Sequence, residues 1–225
     1  LSMSTFESGT RAEESTRKAH ESTRDKATNP FINLYENFLL PTENWQEYDV
    51  VGISIVGISQ IIPGLTLARM IKEKYPHLHI TLGGPIFSVN AGQLIGHPEF
   101  FDDFCHSVVT FEGEEPMHRL LSALKADDSL STVPNLLHLD GREVVQNKER
   151  VELRFEELPH PDFDGLPMDK YLSPYPILPV LQSRGCYWGK CTFCTHSFVY
   201  GHRYGKQKTQ RSEERRVGKE CRSRW

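Results

Sequence analysis

The chain has 225 residues, 38% of them hydrophobic and 25% charged, with a net charge of −4. That composition excludes wholesale disorder and gives no electrostatic support for general nucleic-acid binding. No apolar run approaches the roughly 20 residues that cross a bilayer, and the opening LSMSTFESGTR lacks the basic-then-apolar layout of a secretory signal. The sequence-based expectation is therefore a cytoplasmic, membrane-free protein.

In chain order, residues 1–30 are polar and mixed in charge, which predicts a disordered arm or a frayed helix. The aromatic-rich stretch 31–40 predicts a short helix ending near Pro41. DVVGIS at 49–54 is a β-branched apolar run, the pattern of a strand buried on both faces of a parallel sheet. A Gly/Ser/Gln/Pro loop follows over 57–64. LTLARMIKEKY then reads as a helix with Leu65, Leu67, Ala68, Ile71 and Tyr75 forming a rough apolar stripe and Arg69, Lys72 and Lys74 mostly outward. LHITL at 78–82 is a second strand, closed by Gly83-Gly84-Pro85. A short helix near 91–95, a third strand over 107–111 and a helix over 116–124 complete the series.

Alternation at this spacing predicts βαβ units in a Rossmann-like, doubly wound parallel sheet. Ligands of such sheets sit beyond the carboxyl ends of the strands, here the loops 54–60, 83–87 and 111–115. NLLHLDGREVVQN is a hairpin signal centred on Asp140-Gly141. The proline-rich stretch 158–179 reads as a semi-rigid linker, and PVLQS at 179–183 as another buried strand. The expected organisation is an arm (1–30), an α/β domain (31–130), a hairpin and linker (131–177) and the start of a second α/β domain (178–210).

The last fifteen residues, RSEERRVGKECRSRW, match the translation of a common sequencing-adapter oligonucleotide and are set aside from fold reasoning. They hold six basic and three acidic residues, so the charge without them is −7. The natural chain is expected to continue past Gln210.

Three of the five cysteines fall within SRGCYWGKCTFCTH, at Cys186, Cys191 and Cys194. Clustered thiols in a reducing compartment point to a metal centre rather than a disulfide scaffold. Three ligands are informative, because structural zinc sites and plain ferredoxin clusters take four, while a [4Fe–4S] cluster on three thiolates keeps one iron open. Zinc held by the three cysteines and His196 or His202 is the alternative, and three unliganded thiols is another.

A strand followed by SRGC, an aromatic pair and KCTFC resembles the cluster loop of the radical S-adenosylmethionine (SAM) superfamily. That resemblance implies cluster ligation by Cys186, Cys191 and Cys194 and chelation of SAM by the fourth iron. It also implies contact of Phe193 with the adenine and reductive cleavage of SAM to start radical chemistry, in a partial (β/α) barrel. The C-x₄-C-x₂-C spacing departs from the common C-x₃-C-x₂-C of that family through the extra Gly189. VGISIVGISQIIPGLTLARMIKEKYPHLHITLGGP further resembles the cobalamin-binding domains fused to radical SAM barrels. Through that likeness Ser54, Ser59, Gln60, Gly83, Gly84, Glu112 and Gly113 become candidate cobalamin contacts. The Asp-x-His-x-x-Gly loop that supplies a lower cobalt ligand is missing from the sequence, so no histidine of this domain is expected on cobalt.

The resemblance spans roughly residues 31–210, strongest at 49–85 and 158–204. It implies an enzyme, with cobalamin-dependent methyl transfer its commonest reaction, acting on an unidentified small-molecule or peptide substrate. It also implies an electron donor such as flavodoxin or ferredoxin. No catalytic residue beyond the cofactor contacts can be named, and the fragment alone is expected to be inactive. A cobalamin- or nucleotide-binding sensor module with a structural zinc knuckle is the alternative function.

Overall fold

The structure is a computed structural model that describes residues 15–159, 161–175 and 177–206. Residues 1–14 of the expected arm and the adapter-like tail, with Cys221 and Trp225, lie outside the described residues. The chain divides into two units, Leu1–Val151 and Glu152–Trp225. No helix among the described residues is long and apolar enough to cross a membrane.

The first unit is built on one five-stranded sheet. Strands β1 (Val50–Ser54), β2 (His79–Gly83) and β3 (Ser107–Val109) run parallel in sequence order. Strands β4 (Leu136–Asp140) and β5 (Glu143–Gln146) then add an antiparallel hairpin beside β3. The hairpin assigned by sequence to a connecting segment thus completes the sheet, because its apolar faces need β3 and the helices to bury them.

The mixed α/β class agrees with the sequence reading, but the order is sequential. A doubly wound sheet reverses direction at a switch point, and these three parallel strands contain no reversal. Right-handed crossovers in a sequential order deliver their helices to one face. Helices α3 (Ile61–Lys74), α4 (Pro85–Leu94) and α5 (Pro98–Phe104) accordingly pack on the face that presents Ile80, Leu82, Val108 and Leu137. Helix α6 (Glu114–Ala126) covers the other face at the β3–β4 end, with Leu120 and Ala123 against Val109 and Leu136.

Strand β1 is an edge strand rather than one buried on both faces. Val51 and Ile53 lean on the main core, while Gly52 and Ser54 are exposed. Among the described residues it has a strand neighbour only on the β2 side, and the Met117 methyl of α6 would lie 3.9 Å from a β-carbon on Gly52.

Helix α3 buries Ile62, Leu65, Ala68 and Ile71, a spacing of three that lines one helical face. Pro63 is tolerated because it falls in the first turn, where backbone N–H groups have no intrahelical acceptor. Two of its cations depart from the expected outward orientation. Arg69 is only 8% exposed and donates through Nη2 to the Thr23 carbonyl at 2.7 Å and through Nη1 to Glu73 at 2.6 Å. Lys72 is half-buried, its Nζ donating to the carbonyls of Phe101, Asp102 and Cys105 at 2.5, 2.9 and 3.2 Å. It satisfies the carboxyl end of α5, where a helix presents negative partial charge.

The polar stretch before residue 31 is folded from Ser15 onward. It forms α1 (Thr16–Ser22), with α2 (Pro30–Leu34) and a π-helix over Tyr35–Leu39 following. A buried polar anchor at Asn29 and exposed ion pairs of Arg24 tie it to the rest of the unit. Asn29 caps α2 through Phe31 N–H at 3.0 Å and donates to Thr66 Oγ1 of α3 at 2.9 Å, and Arg24 bridges Glu73 and Asp103.

The second unit carries 3₁₀ turns over Phe155–Glu157 and Met168–Lys170, then β6 (Ser183–Gly185), α7 (His196–Val199) and β7 (Tyr204–Lys206). β6 and β7 pair antiparallel around the buried Phe155. The expected buried strand over 179–183 is absent: Val180 and Leu181 are exposed, and pairing begins only at Ser183. Among the described residues no parallel neighbour lies beside it, so its apolar side chains have nothing to bury against.

Candidate functional site

Because β1, β2 and β3 are parallel, the segments following them emerge at one edge of the sheet. After β1, Ile55 is buried and the next turn is closed by Gln60, whose Oε1 accepts from the N–H groups of Val56 and Gly57 at 2.8 and 3.2 Å. Gln60 therefore uses its acceptor to build the loop, while Ser54 is exposed and Ser59 half-buried at the same edge.

Gly84 has φ +115 and ψ 167, a region almost confined to glycine. A β-carbon there would meet the Ile55 carbonyl oxygen at 2.2 Å, so this glycine serves the approach of two backbone segments. Gly83 has space: its β-carbon would find only the Val109 carbonyl oxygen, at 3.6 Å.

After β3, Phe111 takes φ +60, uncommon for a bulky residue, with its N–H donating to the buried Ser88 Oγ at 2.7 Å. The Arg150 guanidinium stacks over the Phe111 ring, 3.8 Å from its centroid. The hairpin carries Arg150 there, since β4 begins and β5 ends beside the carboxyl end of β3. Glu112 is buried, with its carbonyl accepting from Asn135 Nδ2 at 3.4 Å, and Gly113 caps α6.

Sequence reasoning missed Thr81, Phe111 and Arg150 at this end of the sheet. Thr81 projects on the same face as Gly52 and Gly83, is 2% exposed, and its hydroxyl has no hydrogen-bond partner among the described residues. Only the hairpin signal could have hinted at Arg150. Gly52, Ser54, Thr81 and Gly83 form a shelf of small side chains with one orphaned hydroxyl. Such a shelf fits a flat, polar-edged cofactor tail such as the nucleotide of cobalamin.

The second candidate is the loop from Cys186 to Cys194. All three cysteines are free; Cys186 is half-buried and Cys191 and Cys194 are exposed. The Gly189 N–H approaches Cys186 Sγ at 3.4 Å, and Cys194 N–H donates to the Cys191 carbonyl at 3.3 Å. Gly189 adopts φ +60, and a β-carbon there would stand 2.8 Å from the buried Ser197 Oγ, so the extra residue of the spacing occupies a position that favours glycine. Phe193 is 87% exposed, and Tyr187 and Trp188 are exposed as well. The donors suit an iron–sulfur cluster in kind and number, with an amide hydrogen directed at one sulfur as in such sites. Among the described residues no three potential ligands converge on one point. Cys105 is a different thiol, wholly buried and pushed up in pKa by that burial, which makes it part of the core.

No family model matches the chain. A curated relative, the uncharacterized methyltransferase PH0819 of Pyrococcus horikoshii, is 28% identical over 165 residues, covering 72% of this chain and 35% of the relative. Among solved structures, the apo cobalamin-dependent S-adenosylmethionine radical enzyme OxsB superposes with a TM-score of 0.56 at 21% identity, over 85% of this chain and 24% of that one. The radical S-adenosylmethionine methyltransferase TsrM of Kitasatospora setae, solved with cobalamin and a [4Fe–4S] cluster, gives 0.48 at 19% identity over 75% of this chain and 36% of its own. The likeness to OxsB is one of fold. The chain spans about a third of the curated relative's length.

Proposed function

We propose that this chain holds the cofactor-binding portion of a radical S-adenosylmethionine enzyme, with Cys186, Cys191 and Cys194 ligating a [4Fe–4S] cluster. The observation that carries this reading is three free thiols within nine residues of one loop, one of them approached by a backbone N–H at 3.4 Å. Such a cluster supplies a single electron to cleave the sulfonium of SAM. The chain's own part is to hold the cluster on three sulfurs, leaving one iron open. Phe193, fully presented at the loop, would lie against the adenine.

The shelf formed by Gly52, Ser54, Thr81 and Gly83 is the surface we assign to the cobalamin tail. Methyl transfer is the reaction class we favour, supported by the methyltransferase description of the curated relative. The substrate is a small molecule or peptide, and an electron donor of flavodoxin or ferredoxin type would reduce the cluster.

Anaerobic reconstitution with iron and sulfide tests the reading. A brown protein with about four irons per chain is expected. Uptake of a single zinc without iron would favour the zinc-knuckle module instead. Titration with hydroxocobalamin tests the shelf separately, and a Thr81→Val variant should weaken that binding while leaving iron uptake unchanged.

A further inference from the structure

The loop of the three thiols also carries aromatic and cationic side chains that cofactor binding leaves unused. Tyr187 and Trp188 directly follow Cys186, and Lys190 directly precedes Cys191. All three are exposed. Lys190 Nζ stands 5.5 Å from the centre of the Trp188 ring. The Tyr187 ring meets that of Tyr204 on β7 edge-on, with centroids 6.1 Å apart, and Lys206 Nζ lies 5.7 Å from the Tyr204 centroid. Within the second unit, aromatic rings thus join two lysines across the cysteine loop and β7.

Charge is unevenly placed around this patch. From Tyr171 to Lys206 the sequence holds the cations Arg184, Lys190, Arg203 and Lys206 and no Asp or Glu, in a chain of net charge −4. The carboxylates of the unit come earlier in the chain, where Glu152 pairs with Arg203 at 2.8 Å and Glu157 with Arg154 at 3.0 Å. Arg184 lies over the buried Phe155 ring, 5.6 Å from its centroid. Lys190 and Lys206 differ from these arginines. Both are exposed, and among the described residues neither forms an ion pair. Balancing the thiolates of a bound cluster is another use for such lysines, but Lys206 sits on β7, outside the cysteine loop.

We infer, on the cluster reading above, that this surface is the docking site of an acidic one-electron carrier protein. The carrier gives up one electron and the cluster held by Cys186, Cys191 and Cys194 takes it up, with no atom exchanged. Exposed Tyr and Trp are the side chains enriched where proteins meet, since they offer large contact area with a polar edge. Lysines without a partner are almost never fully buried, so the patch does not suit the packed interior of a fold. Redox encounters are at the small end of interface sizes, and complementary charge sets their rate more than their affinity. Single-stranded nucleic acid also stacks on exposed aromatics, but its backbone is tracked by a positively charged groove, which two lysines do not make.

The test mixes the reconstituted full chain anaerobically with flavodoxin hydroquinone and follows bleaching of the cluster's visible absorption by stopped flow. Reduced methyl viologen, a cationic one-electron donor, is the control. The flavodoxin rate should fall about tenfold between about 0.05 and 0.5 M salt, and the viologen rate should not fall. Lys190→Glu combined with Lys206→Glu should slow flavodoxin about tenfold at low salt, with iron content and the viologen rate unchanged. Lys206→Glu alone, away from the cysteines, should slow it about threefold, which keeps the test open if the double variant loads iron poorly. A flavodoxin rate indifferent to salt and to Lys206→Glu overturns the docking site and leaves the cluster reading standing. A parent chain that takes up no iron overturns the cluster reading and this site with it. Tighter binding of an oligothymidylate than of flavodoxin would mark a nucleic-acid surface and overturn the site as well.

Discussion

The α-carbon of Gly84 faces the backbone of Ile55 so closely that a β-carbon on it would lie 2.2 Å from the Ile55 carbonyl oxygen. This contact ties the loop after β1 to the start of α4, and so shapes the edge at which Ser54 and Gly83 emerge. Gly84→Ala would combine that overlap with a φ of +115 that side chains avoid. It should cost about 2–3 kcal/mol or more. Urea unfolding should report a lower midpoint with an unchanged slope.

Asn29 should prove an anchor of the amino-terminal helices. It is 2% exposed, caps α2, and joins that segment to Thr66 of α3. Asn29→Ala removes the cap and leaves buried groups unpaired, at a cost of about 1–3 kcal/mol. Hydrogen exchange over Thr16–Leu34 should accelerate more than exchange in β2.

Acid should destabilise the first unit through His79 and His106, whose rings lie 5.1 Å apart. Burial lowers both from 6.5 to about 4; for His79 the neighbouring His106 and Lys72 add to the effect, and for His106 Lys72 does. The folded state therefore binds fewer protons than the unfolded chain between these values. Stability is full above about pH 6.5 and declines as pH falls towards 4. His106→Asn can keep an acceptor for the Ile80 N–H, which His106 Nδ1 now receives at 2.9 Å, without a titrating ring. Its unfolding midpoint should move to lower pH in an acid titration followed by circular dichroism.

The parallel strands were readable because their β-branched runs alternate with a helical stripe, and that pattern survives in β1, β2 and β3. The burial of β1 was not readable, since an apolar run looks the same at an edge as at the centre. The anchoring of the amino-terminal segment was not readable for a related reason: Asn29, Arg24 and Arg69 find partners far away in sequence. Gly84 stood out as glycine, but whether it admits a ligand or a backbone depends on where Ile55 runs. In the cysteine loop the sequence supplies three thiols and their spacing, and the structure adds that all three are free. How the three sulfurs lie relative to one another depends on a loop conformation that sequence does not encode locally.

Iron content after anaerobic reconstitution, compared between the parent chain and single Cys186→Ala, Cys191→Ala and Cys194→Ala variants, tests the assignment most directly. The parent should hold about four irons per chain, and each replacement should lose most of that iron along with the brown absorption. Equal iron in the parent and in any one of the three variants would contradict the three-thiolate site.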